Sequence, residues 1–244
     1  MTATAAERFI WQMALEIEDG AVVATGVASP LAVLAIAVAK QTHAPRLTYI
    51  SCVGSLNPQV MRMMGSSEDL AYLTGRTADV SIAELFDHAR CGRVDNVFFG
   101  AVEVDGHGRT NLSAAGPLTR PKVKFPGVVG ACSLRRWAKH PVIIVPRHNK
   151  RCLVHKVNIR STVDDARRTR LLTDAAVFSI GPGGAILEAL AGTATLADVQ
   201  ERTGFAFAAS AHLAVIGDPP AAVRATIQAL DPDRRSAELV GAAA

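Results

Sequence analysis

The side chains with chemical capacity cluster in the middle of the chain. Glu103 and Asp105 flank Val104, and both carboxylates suit acid/base work, although Asp105 also opens a turn that it can cap. Asn111 and Ser113 can hydrogen-bond a substrate carbonyl or carboxylate, or simply end a strand. Arg135 and Arg136 are paired, which suits bidentate recognition of a carboxylate or phosphate; a solvated helix face is the plain alternative. His148 precedes Lys150 and Arg151 and faces either a ligand or a partner. Two Cys/His pairs stand three apart, His88 with Cys91 and Cys152 with His155, but neither has a second pair close by in sequence to complete four zinc ligands. Gly26 to Pro30 reads as a glycine-containing turn running into a helix N-terminus, which offers free N–H groups to an anion or is an ordinary βα turn. It lacks the G-x-G-x-x-G spacing of a dinucleotide site.

Residues 94–130 organise the elements that must position these groups. The apolar run 97–102 has no polar alternation and reads as a strand buried on both faces. Asp105-Gly106-His107-Gly108 is a turn signal, after which 109–113 re-extends and Gly116-Pro117 and Phe125-Pro126-Gly127 break the backbone. A buried strand that ends in glycine-rich loops is where open α/β sheets place ligands. Upstream, the pattern predicts a helix over 3–19 closed by Gly20, a strand over 21–25 and a helix over 31–41 with Ser29 as N-cap and Pro30 at N1. A strand over 47–51, an irregular segment over 57–77 and a helix over 82–90 led by the capping box Ser81–Glu84 follow. Downstream come a helix over 131–139, a strand over 141–146 and an alternating strand over 150–159 with one wet face. A hairpin of 174–180 with 185–190, a helix from the capping box Thr195–Asp198 to Thr203, and a helix over 219–230 complete the pattern. The fold class is α/β: an open, mostly parallel sheet with flanking helices and a C-terminal hairpin supplement, in one domain over 1–244 whose tail from 231 frays.

Composition sets the bounds. The chain is 49% hydrophobic but 5% aromatic, so its core must come from Ala, Val, Leu and Ile. The net charge of +4 is scattered, and no basic face with aromatics for base stacking appears, so nucleic acid is not an expected partner. The longest apolar run, 31–39, is too short to span a bilayer, and the acidic N-terminal segment is not a signal peptide. With four cysteines and no C-x-x-C pair, the expected setting is the cytoplasm with reduced thiols.

Several stretches together resemble the β subunit of family I coenzyme A transferases of the glutaconate CoA-transferase type. They are Gly92-Arg93-Val94-Asp95, Gly100 to Asn111, Pro121 to Gly127 with Gly130-Ala131, and His148 to Arg151 continuing to Lys156-Val157. Thr173 to Phe178, Thr195 to Val199 and Thr203-Gly204-Phe205 extend the likeness toward the C-terminus. The resemblance implies a CoA-transferase-like fold and a homologous α subunit as partner, in a heterodimer or heterotetramer. It implies an acyl-CoA substrate held between the two chains, with coenzyme A as part of the substrate and no permanently bound cofactor. Backbone N–H groups near Gly54 and over Gly127, Gly130 and Ala131 would stabilise charge on a carbonyl oxygen, with Asn111, Ser113 and Arg135 as further substrate contacts. The family's nucleophilic glutamate ends the strand that here reads Tyr49-Ile50-Ser51-Cys52-Val53-Gly54, so Cys52 stands in its place. No carboxylate is near it in sequence; Glu68 and Asp69 lie past the strand end. Hydrolysis is then expected first, including ring opening of a cyclic acyl-CoA, because residues 111–121 resemble the β subunit of bacterial steroid ring-cleaving hydrolases. CoA transfer with a carboxylate from elsewhere, Cys52 itself as nucleophile, and a non-catalytic partner role stay open.

Overall fold

The computed structural model describes residues 2–162 and 167–241. The first half alternates strands and helices: α1 (Ala5–Ala14), β1 (Val22–Thr25), α2 (Pro30–Gln41), β2 (Thr48–Ile50), β3 (Ser55–Leu56), β4 (Ala78–Asp79), α3 (Ile82–Arg90) and β5 (Asn96–Gly100). Two small hairpins follow, β6 (Glu103–Val104) with β7 (Thr110–Asn111) and β8 (Ala114–Ala115) with β9 (Val123–Lys124). Then come α4 (Val128–Trp137), β10 (His140–Val145), β11 (Thr169–Thr173), β12 (Ala176–Ile180), β13 (Ala185–Ala191), α5 (Leu196–Arg202), β14 (Phe207–Ile216), α6 (Ala221–Leu230) and α7 (Arg235–Leu239).

The main sheet has ten strands in the order β14-β13-β12-β11-β10-β5-β1-β2-β3-β4. Its centre, β11-β10-β5-β1-β2, is parallel, and β12 turns back antiparallel beside β11 and β13. Side chains alternate across it, as a two-residue period requires. Val23, Phe98, Val142 and Ile144 pack under α1, α2 and α6, whereas Ala24, Val97 and Phe99 pack under α3 and α4. Residues 31–39 of α2 are all at or below 5% exposure, because the helix lies between the sheet, α1 and α6. A helix covered all round has no polar face to keep, which is why its sequence is apolar throughout. Truncating Leu34 or Ile36 there to alanine would cost about 2–5 kcal/mol.

Both expected capping boxes form, Ser81 with Glu84 and Thr195 with Asp198, and Thr4 with Glu7 makes a third. Four expectations need correction. The first helix stops at Ala14, ten residues long, and the chain reaches Gly20 by turns. Residues 150–159 form no strand: Leu153 and Val157 are buried below the β6–β7 hairpin, with one bridge from Val104 to Leu153. Phe207–Ile216 is a ten-residue strand that the sequence pattern does not predict. The tail does not fray over 231–241. Asp231 accepts the Arg235 and Ser236 N–H groups, both at 2.9 Å, to start α7, and Gly241 N–H reaches the Pro146 carbonyl at 3.1 Å. Among the described residues no helix is long and apolar enough to cross a membrane.

Candidate active site

A cavity of about 730 Å³ opens at the C-terminal ends of the parallel strands. The β1–α2 turn (Thr25 to Leu31), Cys52 after β2, Phe99 to Val102 after β5 and Pro146 after β10 supply its floor. Ile82, Leu85 and Phe86 of α3 and Gly127, Gly130, Ala131 and Leu134 at the start of α4 form a wall. This is the crevice an open parallel sheet offers to ligands. Its walls are apolar, and Glu68 is its one charged residue among the described residues.

Cys52 lies at the end of β2, as the sequence places it. Its thiol donates to the Ser67 carbonyl at 2.9 Å, and it also lines a second, shallower cavity of about 430 Å³ with Gly54, Asp79 and Glu84. Burial pushes the Cys52 thiol up; its hydrogen bond to Ser67 offsets part of that, and the Glu68 charge adds to it. The residue is therefore a neutral thiol at pH 7. Glu68 lies past the strand end in sequence, yet the 57–77 segment folds back and carries it to the cavity. Burial pushes its carboxyl up, but the hydrogen bonds from Ser66, Ala28 and Ser67 outweigh this and hold it below the ordinary value.

Gly127, Gly130 and Ala131 join Cys52 in one cavity. Their glycines also allow close approach: a Cβ on Gly127 would lie 3.1 Å from Leu112 Cβ, and one on Gly130 would lie 2.7 Å from Phe86 Cζ. The first turns of α2 and α4 both open onto the cavity; at α2 Pro30 carries no N–H, and the Ser29 and Ala32 N–H groups are donated to Ser67 and to the Ser29 carbonyl, both at 3.0 Å.

The other expected contacts lie elsewhere. The Gly54 N–H is already donated to the Ser51 carbonyl at 3.0 Å in a tight turn with φ 86°, so it is spent. Asn111 is 1% exposed and bonds Glu103, the Ala114 carbonyl and the Ser113 N–H. Ser113 shares a hydroxyl contact of 2.6 Å with Ser161. Arg135 is 1% exposed beneath the hairpins, where it donates to Thr110, Thr162 and the Gly108 carbonyl at 3.2, 2.9 and 2.5 Å. Its guanidinium is thus engaged within the protein, bracing the hairpins. Glu103 holds the loop at Asn158, and Asp105 accepts the His107 and Arg109 N–H groups, capping its turn as expected. His148, expected to face a ligand or a partner, is buried between Thr173 at 2.8 Å and Thr203 at 3.0 Å.

The coenzyme A transferase family profile matches residues 6–195. The chain belongs to the coenzyme A transferase family. A curated member, one subunit of the 3-oxoadipate CoA-transferase of Pseudomonas knackmussii, is 31% identical over 168 residues, covering 67% of this chain and 59% of that protein's length. Among solved structures of the same fold, the decarboxylase AibA/AibB is 54% identical with a TM-score of 0.94, covering 98% of this chain and 99% of that one. It has also been solved with one cysteine replaced by asparagine, valine, serine or alanine, at 53% identity to this chain. Glutaconate CoA-transferase of Acidaminococcus fermentans has a TM-score of 0.83 at 20% identity, covering 99% of this chain and 98% of that one, and shares the fold. The family likeness read from the sequence thus holds, as does the mostly parallel sheet with its flanking helices.

Proposed function

We propose that this chain is the β-type half of an acyl-CoA decarboxylase, with Cys52 as the proton donor that replaces the departing carboxylate. The observation that carries this reading is the character of the cavity wall. A neutral thiol stands beside an apolar chamber whose one charged residue, Glu68, is itself an anion. A substrate carboxylate placed there finds no Lys, Arg or His among the described residues that line the cavity, and losing carbon dioxide removes the charge that the site disfavours.

The chemistry fits an acyl-CoA whose second carboxylate is on, or conjugated with, the α-carbon. The bond to the carboxylate breaks, carbon dioxide leaves, and the electron pair delocalises into the thioester carbonyl. The N-terminal ends of α2 and α4 favour negative charge developing on that oxygen. The Cys52 thiol then gives its proton to carbon, and solvent returns a proton to the thiolate. Coenzyme A enters as part of the substrate. Of the four cysteines, Cys52 is the one lining the cavity, which supports matching it to the cysteine varied in the decarboxylase relative.

A homologous α-type chain closes the site in this reading. Ile82 is 70% exposed and Val27 44% exposed, and both line the cavity. Exposed apolar side chains of this kind around one opening suit a protein partner.

CoA transfer has one observation in its favour, the Glu68 carboxylate in the wall. Its oxygens are committed to Ala28, Ser66 and Ser67, which suits a held anion better than an attacking nucleophile. Hydrolysis, which the resemblance puts first, rests on Cys52 in the glutamate's place and, for ring opening, on residues 111–121, where the side chains of Asn111 and Ser113 are engaged within the protein. The test is Cys52→Ala in the complex with the α-type chain. A lost general acid lowers kcat by about 10²–10⁴-fold with KM little changed. Undiminished carbon dioxide release would overturn the reading, and thioester exchange that requires an added carboxylic acid would favour transfer.

A further inference from the structure

Glu68 makes more contacts than an exposed rim glutamate needs. One carboxylate oxygen accepts the Ala28 N–H at 2.7 Å, and the other accepts the hydroxyls of Ser67, at 2.9 Å, and of Ser66. Ser67 is fully buried and equally engaged. Its hydroxyl accepts the Ser29 N–H at 3.0 Å while donating to Glu68, and its carbonyl accepts the Cys52 thiol at 2.9 Å. Three consecutive residues thus join the end of β2 to the turn before α2. That turn carries Ala28 at φ 53°, the left-handed region, which costs a non-glycine residue about 1 kcal/mol or more and persists where neighbours impose it. The Glu68 carboxylate is the partner that the Ala28 N–H finds there.

We propose that Glu68 is a positioning residue: through Ala28 and Ser67 it fixes the Cys52 thiol against the turn before α2, and its charge keeps a proton on Cys52. The inference rests on reading Cys52 as the proton donor. The other ionisable groups facing Cys52 leave Glu68 as the one anion held in the main cavity. Tyr49 on β2 and Tyr72 on the 3-10 turn Leu70–Leu73 are phenols that burial pushes up. Asp79 and Glu84 line the shallower cavity on the other side of Cys52. Neither cavity is lined by a Lys, Arg or His among the described residues; Arg235 lies against Gly65 at the edge and pairs with Asp233. An anion beside a thiol, with no facing cation, disfavours the thiolate.

The test reads the thiol itself. In the complex, the rate of Cys52 alkylation by iodoacetamide is followed against pH, resolved from the free Cys91, Cys132 and Cys152 by peptide mass analysis. In Glu68→Gln the midpoint should fall by about 0.5–1 pH unit, and Glu68→Asp, which keeps the charge, should restore most of it. If Glu68→Gln does not fold, the wild-type titration at high salt carries the same expectation, since salt screens an exposed carboxylate. An unmoved midpoint in Glu68→Gln, or no salt response where that variant is lost, overturns the proposal. The two readings separate cleanly. A shifted midpoint in a complex that releases no carbon dioxide leaves Glu68's role and removes the decarboxylase; an unmoved midpoint with carbon dioxide released does the reverse.

Discussion

Acidification from pH 7 to pH 4.5 should destabilise this protein chiefly through His148. His148 is 1% exposed, and a threonine hydroxyl lies beside each ring nitrogen. The Thr203 hydroxyl donates to the Val199 carbonyl at 2.6 Å, so toward His148 it acts as acceptor and Nε2 carries the proton. The Thr173 hydroxyl lies 2.8 Å from Nδ1 and 3.0 Å from the Ala176 carbonyl; it has one proton, and the neutral ring takes it at Nδ1 in place of the carbonyl. Burial, with a contribution from the Arg202 guanidinium, lowers the His148 pKa to about 4, from an ordinary 6.5. The folded state therefore takes up the proton later than the unfolded one. Stability is fully present above pH 6.5, falls as pH drops below it, and stops falling below pH 4, where both states are charged. The gap corresponds to about 3 kcal/mol, a large share of a typical domain's stability. Urea denaturation of the complex at stepped pH values, for wild type and His148→Gln, isolates the contribution. Glutamine does not titrate, so the variant begins less stable at pH 7 and should lose about 1 kcal/mol less per pH unit between about 6 and 4.5. Identical slopes in the two proteins would refute the assignment.

Other expectations follow from the same geometry. Arg135→Ala should cost about 3 kcal/mol, since it empties a large buried volume and strands the Gly108 carbonyl, leaving the Thr110 and Thr162 hydroxyls only each other at 2.6 Å; KM of the folded complex should stay unchanged, and weakened substrate binding with a normal melting temperature would restore the anion-contact reading. Gly130→Ala should displace the Phe86 ring, whose Cζ lies 2.7 Å from the added carbon; a net loss of about 1 kcal/mol and a raised KM are expected, and an unchanged KM would mean the ring does not shape the site. Ser81→Ala removes the acceptor of the Glu84 N–H at 3.2 Å and should lower stability by about 1 kcal/mol, read by thermal melting.

What is legible in the sequence is mostly local. The capping boxes at Ser81 and Thr195 need only a four-residue span to be recognised, and the strands at 97–100 and 141–145 announce themselves by unbroken apolar runs. Phe207–Ile216 gives no such signal, because an edge strand with small side chains and two wet faces has no burial pattern to read. The alternation in 150–159 misleads because Leu153 and Val157 enter the core from a loop. Glu68 is separated from Cys52 by an irregular segment whose path no periodicity specifies. Arg135 misleads for a different reason: its charge suggests a surface or an anion, while the acceptors that bury it come from Gly108, Thr110 and Thr162, which only the folded hairpins bring together.

The fate of the substrate's carbon separates decarboxylation from hydrolysis and from transfer. The complex of this chain with its α-type partner is incubated in D₂O with acyl-CoA esters of α,β-unsaturated dicarboxylic acids, without any added acid. Decarboxylation gives one carbon dioxide per turnover, one deuterium on the carbon that lost it, and the thioester still intact. Free coenzyme A released by water, or turnover that begins only when a carboxylic acid acceptor is supplied, would contradict it.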